Sequence, residues 1–178
     1  VERIPTSDLA DPGEVVRIFD SFQNIGDLET TGLDFDLGYK LASDVGDFKF
    51  GFVMNYVLKF EEYRPGLNDQ RRLNLEAGDF EQPEIRHTTS VDWSLNDVSA
   101  TVALNYIGEF GGDADSGFAD KTIDSMATVD VVINYQGFEN TALSVGATNL
   151  FNETPPFSHH EFVGYVNSIH SGQGRFVY

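Results

Sequence analysis

From Phe48 to Phe60 every second residue is large and apolar: Phe48, Phe50, Phe52, Met54, Tyr56, Leu58 and Phe60. Side chains of an extended chain point alternately to two faces, so these share one face while Lys49, Gly51, Val53, Asn55, Val57 and Lys59 share the other. A helix would scatter them around its axis. About 9 to 11 tilted strand residues cross a bilayer, so a strand this long is able to span one.

The same period recurs along the chain. Leu33, Phe35, Leu37, Tyr39 and Leu41 alternate with Asp34, Asp36, Gly38 and Lys40, and residues 42–47 form a short break before the next strand. Residues 15–23 are also strand-like and read as the far end of one long first strand that continues through residues 24–41, with a bulge or loop near Gly26. Residues 85–95 and 98–108 are strands separated only by Asn96 and Asp97. Residues flanking a two-residue hairpin pair and share a face, so Leu95 should oppose Val98, Trp93 Ala100, and Val91 Val102. All of these are apolar. Residues 126–135 place Val129, Val131, Ile133 and Tyr135 on one face, residues 142–151 do so with Leu143, Val145 and Ala147, and residues 174–178 begin another strand.

The connections sort by length. Residues 42–47, 96–97 and 136–141 are short, whereas residues 61–84, 109–125 and 152–173 are long and rich in Gly, Asp, Asn and Pro. Short turns at one end and long loops at the other are the signature of an outer-membrane barrel. Tyr39, Phe48, Trp93 and Tyr135 lie by the short turns, and Phe60, Tyr106, Phe110 and Phe151 by the long loops, as two interfacial girdles would require.

Composition narrows the field further. No apolar run exceeds three residues, which excludes a spanning helix of about 20. With no cysteine there is neither a disulfide framework nor a thiolate metal site. A net charge of −18 with only 11 Lys and Arg argues against nucleic acid as a partner, because phosphate neutralisation needs a basic face.

Four short motifs carry a family resemblance. Asn24, Ile25, Gly26 followed by Glu29, Thr30, Thr31, Gly32, Leu33, Asp34 and Phe35 resembles the N-x-G … T-x-G-x-[DE] strand of TonB-dependent receptors. Pro83, Glu84, Ile85, Arg86 and His87 is similar to the P-E-[WF]-R-H opening of a barrel strand in one branch of that family, with Asn105, Tyr106, Ile107 and Gly108 fitting its hairpin partner. The run VGATNLFNETPP at residues 145–156 resembles the G-x-x-N-L-F-[DN]-x-x-P-P near the receptor C-terminus, and Gly174, Arg175 and Phe176 resemble the opening of the final strand.

The resemblance implies a non-enzymatic outer-membrane receptor whose barrel of about 22 strands is filled by an N-terminal plug. It implies uptake of a scarce nutrient such as a siderophore, cobalamin or an oligosaccharide, driven by the inner-membrane TonB complex acting on the plug. The expected fold is all-β, an antiparallel transmembrane barrel segment of about seven or eight strands from the C-terminal part of a larger barrel. Its expected partners are membrane lipid, the plug and remaining strands supplied by the rest of the receptor, and a small nutrient. A complete small barrel with a structural or adhesive role and a soluble carbohydrate-binding sandwich are the competing readings.

No nucleophile motif, phosphate loop or zinc spacing stands out, and no cofactor is expected. Arg64, Arg71 and Arg72 with Tyr63 form the one clustering of Arg in the chain, able to grip an anionic cargo. Tyr63, Phe110 and Phe118 offer stacking faces for a neutral sugar. The plainer reading is that neighbouring carboxylates neutralise a solvated loop. His159, His160 and His170 share one loop and could make a metal or ligand contact, and Asp113, Asp115 and Asp120, with Gly117 between, resemble a calcium loop without the glycine spacing of an EF-hand; solvated side chains are the more ordinary state of both sets. Asp34, Asp36, Lys49 and Lys59 are expected on the luminal face, bonding to the plug rather than to cargo.

Overall fold

The computed structural model describes residues 2–3, 15–17, 27–63, 72–73, 82–111, 122–159 and 161–178. Among these residues ten strands occur: β1 (Glu2–Arg3), β2 (Val15–Arg17), β3 (Asp27–Ser43), β4 (Gly46–Tyr63), β5 (Arg72–Leu73), β6 (Ile85–Leu95), β7 (Val98–Ile107), β8 (Met126–Phe138), β9 (Thr141–Thr148) and β10 (Phe176–Val177). One antiparallel sheet runs in the order β10-β9-β8-β7-β6-β4-β3, with β5 alongside β4. The all-β antiparallel segment expected from the alternation is what forms.

The register carries the alternation from strand to strand. Leu37 pairs with Phe52 and Phe52 with Thr89, while Tyr39 pairs with Phe50 and Phe50 with Val91. Val91 pairs with Val102, Val102 with Val131, and Val131 with Ala147. The expected pairs of Leu95 with Val98 and Trp93 with Ala100 are also present. One face of the sheet is therefore an apolar band, and this follows directly from side chains opposing each other across a ladder.

Nothing among the described residues covers that band. Leu37 is 60% exposed, Tyr39 62%, Ile133 47% and Val145 56%, whereas the buried hydrophobic residues among those described are Phe110, Ile123, Ala147 and Val166. Soluble proteins rarely expose contiguous apolar patches beyond a few hundred Å². In lipid the same face is satisfied without a second layer.

Short turns join β3 to β4 at Asp44–Val45, β6 to β7 at Asn96–Asp97 and β8 to β9 at Glu139–Asn140. Asn96 (φ 50°) and Asn140 (φ 59°) take the left-handed backbone that asparagine tolerates better than most residues. The turns are tighter than the breaks read from sequence, because the ladders run to Ser43↔Gly46 and Phe138↔Thr141.

Two expectations are corrected. Val15–Arg17 does not extend the first barrel strand; it pairs with Glu2–Arg3 in a separate two-stranded sheet, which supplies its backbone partners locally. The bulge expected near Gly26 falls outside the described residues, while one lies between Thr31 and Gly32, where Leu58 is the extra residue opposite. Gly32 permits it, since a Cβ there would stand 2.8 Å from the Tyr56 carbonyl oxygen. Finally, β9 stops at Thr148 rather than continuing to Phe151, because Asn149 (φ 49°) turns the chain into the left-handed region.

Candidate ligand-facing surface at the long-loop end

The face opposite the apolar band is polar and cross-linked. The Asn55 amide donates to Asp34 at 2.7 Å, Thr101 donates to Asp92 at 2.6 Å, and Ser144 donates to Asn134 at 2.7 Å. A longer chain runs from Thr88 to Asn105 (2.9 Å) and from Asn105 to Asp130 (2.9 Å). Each step joins neighbouring strands, so the polar groups of this face are paired sideways along the sheet. Asp34 and Lys49 share this face, as expected. For Lys59 the bulge at Leu58 breaks the alternation, and its ammonium lies 3.1 Å from Glu29.

At the end opposite the short turns the segment after β9 folds back over the polar face. Asn149 anchors it: its backbone N–H donates to Asp130 (2.8 Å), its side-chain amide donates to the Glu153 carbonyl (2.8 Å), and its side-chain oxygen accepts from the Glu153 N–H (2.8 Å). Asn152 accepts from the Arg175 N–H at 2.9 Å, which brings the chain back to β10. The motif residues that looked diagnostic in sequence are thus architectural, tying the last long connection to the strand it leaves.

A small loop core completes this end. Phe110 and Ile123 exchange backbone hydrogen bonds (3.1 and 2.8 Å) and pack with Val166 and Ile169. His170 lies against the Phe110 ring with centroids 5.7 Å apart. A cavity of about 280 Å³ opens beside it, lined by Asn105, Thr128, Asp130, Asn149, His170 and Gln173 among others. His170 is only 4% exposed, and neither ring nitrogen has a hydrogen-bond partner among the described residues. Burial, and then the positive charge of Arg86, hold its imidazole below the ordinary value and favour the neutral form.

Of the residues singled out for ligand contact, Tyr63 and Arg72 are brought opposite each other as backbone partners where β4 meets β5. Arg64, Arg71 and Phe118 lie outside the described residues. Phe110 is 2% exposed, inside the loop core and not in an interfacial girdle, so its ring faces protein. Of the histidines, His159 is exposed with its ring against Phe157, His160 lies outside the described residues, and His170 alone is buried. Asp113, Asp115 and Asp120 also lie outside them. Among the described residues no group of three or more His, Asp or Glu side chains is arranged to hold a metal ion.

An open antiparallel sheet with one apolar face, one cross-linked polar face and its long connections at one end has the form of a barrel wall. The model of the TonB dependent receptor-like β-barrel family matches residues 3–150. The chain belongs to that family. No curated protein and no solved structure matches it. In a TonB-dependent receptor barrel the apolar band is the lipid face, the polar face is the lumen, and the long connections are extracellular.

Sequence reasoning did not single out Arg86, and it named His170 only together with its loop neighbours His159 and His160. Arg86 was visible only as a motif letter, although its even position in β6 assigns it to the luminal face with Asn55 and Ile107 as ladder neighbours. His170 gave no local signal, since its burial depends on how residues 149–175 fold back.

Proposed function

We propose that this chain forms C-terminal strands of an outer-membrane receptor that binds a scarce nutrient outside the cell and passes it inward through TonB-dependent transport. The observation that carries the reading is the uncovered apolar band that crosses the ladder from Leu37 in β3 to Ala147 in β9, backed by a luminal face of paired polar groups. A wall with β3 at one edge and β10 at the other needs further strands to close it, because open edges in lipid leave backbone groups unsatisfied at several kcal/mol each. The rest of the receptor supplies those strands, the plug that fills the lumen, and the contact with the TonB complex. The function is transport, without catalysis.

The extracellular connections and the outer lumen carry selectivity, since lipid-facing residues cannot touch an aqueous cargo. The cargo is a siderophore, cobalamin or an oligosaccharide, and Tyr63, Arg64, Arg71, Arg72 and Phe118 are its proposed contacts. Phe110 contributes by holding the loop core. The deciding experiment is uptake in cells with and without TonB, using the intact receptor and each labelled nutrient class in turn. TonB-dependent accumulation of one class is the expected result. Accumulation of none, with the receptor folded in the outer membrane, would refute the reading.

A further inference from the structure

Two aromatic rings stand on the luminal face near the outer rim. Phe176 and Tyr178 stack with ring centroids 6.0 Å apart, and they are 51% and 53% exposed. Gly146 fixes their side of the sheet, because it alternates with Val145 and Ala147 of the apolar band and a Cβ on it would meet the Tyr178 ring at 2.7 Å. Phe176 pairs with Thr148, two residues from Gly146 and on the same face. Hydrocarbon does not reach this side, so the two rings are not part of the lipid-facing band.

Thr148 also lines the cavity of about 280 Å³ described above. Ile107, Met126 and Ile169 give that cavity apolar surface, and Thr128, Asp130 and Gln173 give it polar atoms. The Thr128 hydroxyl and the Gln173 side-chain amide have no hydrogen-bond partner among the described residues, and each can both donate and accept. Asp130 accepts from the Asn149 N–H (2.8 Å) and the Asn105 amide (2.9 Å), and a carboxylate with about four lone-pair sites keeps acceptor capacity beyond those two. No Lys or Arg lines the cavity, so Asp130 leaves it negative.

We propose that the cavity and the Phe176–Tyr178 pair form a subsite for a neutral sugar, the cavity taking one ring of the cargo and the aromatic pair the adjoining one. This rests on the receptor reading and adds to it the ligand class that the outer lumen selects. Sugar hydroxyls donate and accept, as the mixture of Thr128, Gln173 and Asp130 requires. The C–H faces of a sugar ring carry partial positive charge and suit both the apolar surface and the negative faces of aromatic rings. The cavity lies just under the roughly 300 to 1,000 Å³ of sites that enclose a whole ligand, so it holds one ring of a longer molecule. Asp130 repels an oxyanion. A small cation would use that carboxylate but leave the apolar surface and the two rings without a role.

The test uses the intact receptor in lipid nanodiscs and reads saturation-transfer NMR from protein to sugar protons, with empty nanodiscs as the blank. Maltotriose, cellotriose, mannotriose and xylotriose are titrated in turn, with trigalacturonic acid as the acidic counterpart. Saturable transfer to at least one neutral trisaccharide is expected, with weaker binding of the acidic one. Thr128→Val keeps the shape of the residue and removes a hydroxyl that has no described partner. Folding should be unchanged, and Kd should rise about three- to tenfold. Phe176→Leu keeps an apolar side chain without a ring face and should raise Kd by about the same factor, whereas Lys40→Gln at the far end of the lumen leaves it unchanged.

A folded receptor that gives no saturable transfer to any neutral trisaccharide would overturn the proposal. So would binding indifferent to both Thr128→Val and Phe176→Leu, which would place the sugar elsewhere, and so would tighter binding of trigalacturonic acid. The titration needs no energy coupling. A receptor that accumulates another nutrient class while ignoring sugars fails this proposal and keeps the transport reading, and one that binds sugar without TonB-dependent uptake does the reverse.

Discussion

Trp93 donates its indole N–H to the Val45 carbonyl at 2.9 Å, fastening the end of β6 to the turn between β3 and β4. Trp93 sits on the lipid face at the short-turn end, where an amphipathic indole meets both hydrocarbon and interface. Gly46 makes the contact possible: it has φ 121°, and a Cβ there would run into the indole and stand 2.7 Å from the Ser94 carbonyl. Trp93→Phe should therefore cost about 1 kcal/mol through the lost hydrogen bond, and Gly46→Val about 1 to 3 kcal/mol through backbone strain. Urea unfolding of the receptor in lipid would rank the two, with Gly46→Val the worse.

Phe52 and Asn55 lie three residues apart on one strand and face opposite solvents. Phe52→Arg should cost about 2 to 4 kcal/mol near the bilayer midplane and impair assembly. Asn55→Arg faces the lumen beside Asp34 and should be mild. Heat-modifiable mobility of the two variants after extraction measures the difference.

Asn149 uses its backbone N–H and its side-chain amide to hold Asp130 and Glu153 together. Asn149→Ala keeps the backbone bond but leaves the Glu153 N–H and carbonyl without those partners, at a cost of about 1 to 3 kcal/mol. The loss should fall on residues 149–175 rather than on the barrel, so limited proteolysis should cut that segment while β6 to β8 stay protected.

Acid should loosen the same segment. The folded state holds His170 below its ordinary value of 6.5, so the unfolded segment binds the proton more readily. Docking is at full strength above about pH 6.5 and weakens as pH falls through that value toward the depressed one. Protection of the amides in residues 161–175, taken relative to the intrinsic exchange rate at each pH, should fall between pH 7.5 and 5, and His170→Phe, which preserves the ring against Phe110, should remove the dependence.

Replacing Arg71 and Arg72 by Ala in the intact receptor should weaken binding of an anionic cargo by about 1 to 3 kcal/mol in total. A neutral oligosaccharide should be indifferent to that change and should depend instead on Tyr63 and Phe118. Equilibrium binding to intact cells separates the cases. Unchanged affinity in both variants would exclude these loops as the recognition surface.

The barrel wall was legible because two-residue periodicity is local. Asn96 and Asp97 set the β6–β7 register in sequence, and every expected pair across that hairpin is present. Val15–Arg17 misled because extended residues look alike whether they continue a strand or pair elsewhere. The rim was largely illegible. Phe110 has the sequence context of an interfacial aromatic, and only contacts with Val166 and Ile169, more than fifty residues away, bury it. His170 is buried against Phe110 across a similar separation, beyond the reach of any local pattern.

The bulge at Leu58 bears on how such a receptor can evolve. Below it the pairing of Gly32 with Val57 fixes which side chains meet lipid; above it Thr31 pairs with Lys59 on a ladder offset by one residue. A one-residue slip in a plain strand would turn the whole hydrocarbon-facing row inward. Here the slip is already absorbed at a glycine. Single-residue insertions and deletions in the outer extension of β3 and β4 can therefore accumulate without disturbing the membrane-embedded half, leaving the extracellular part free to diversify as nutrients change.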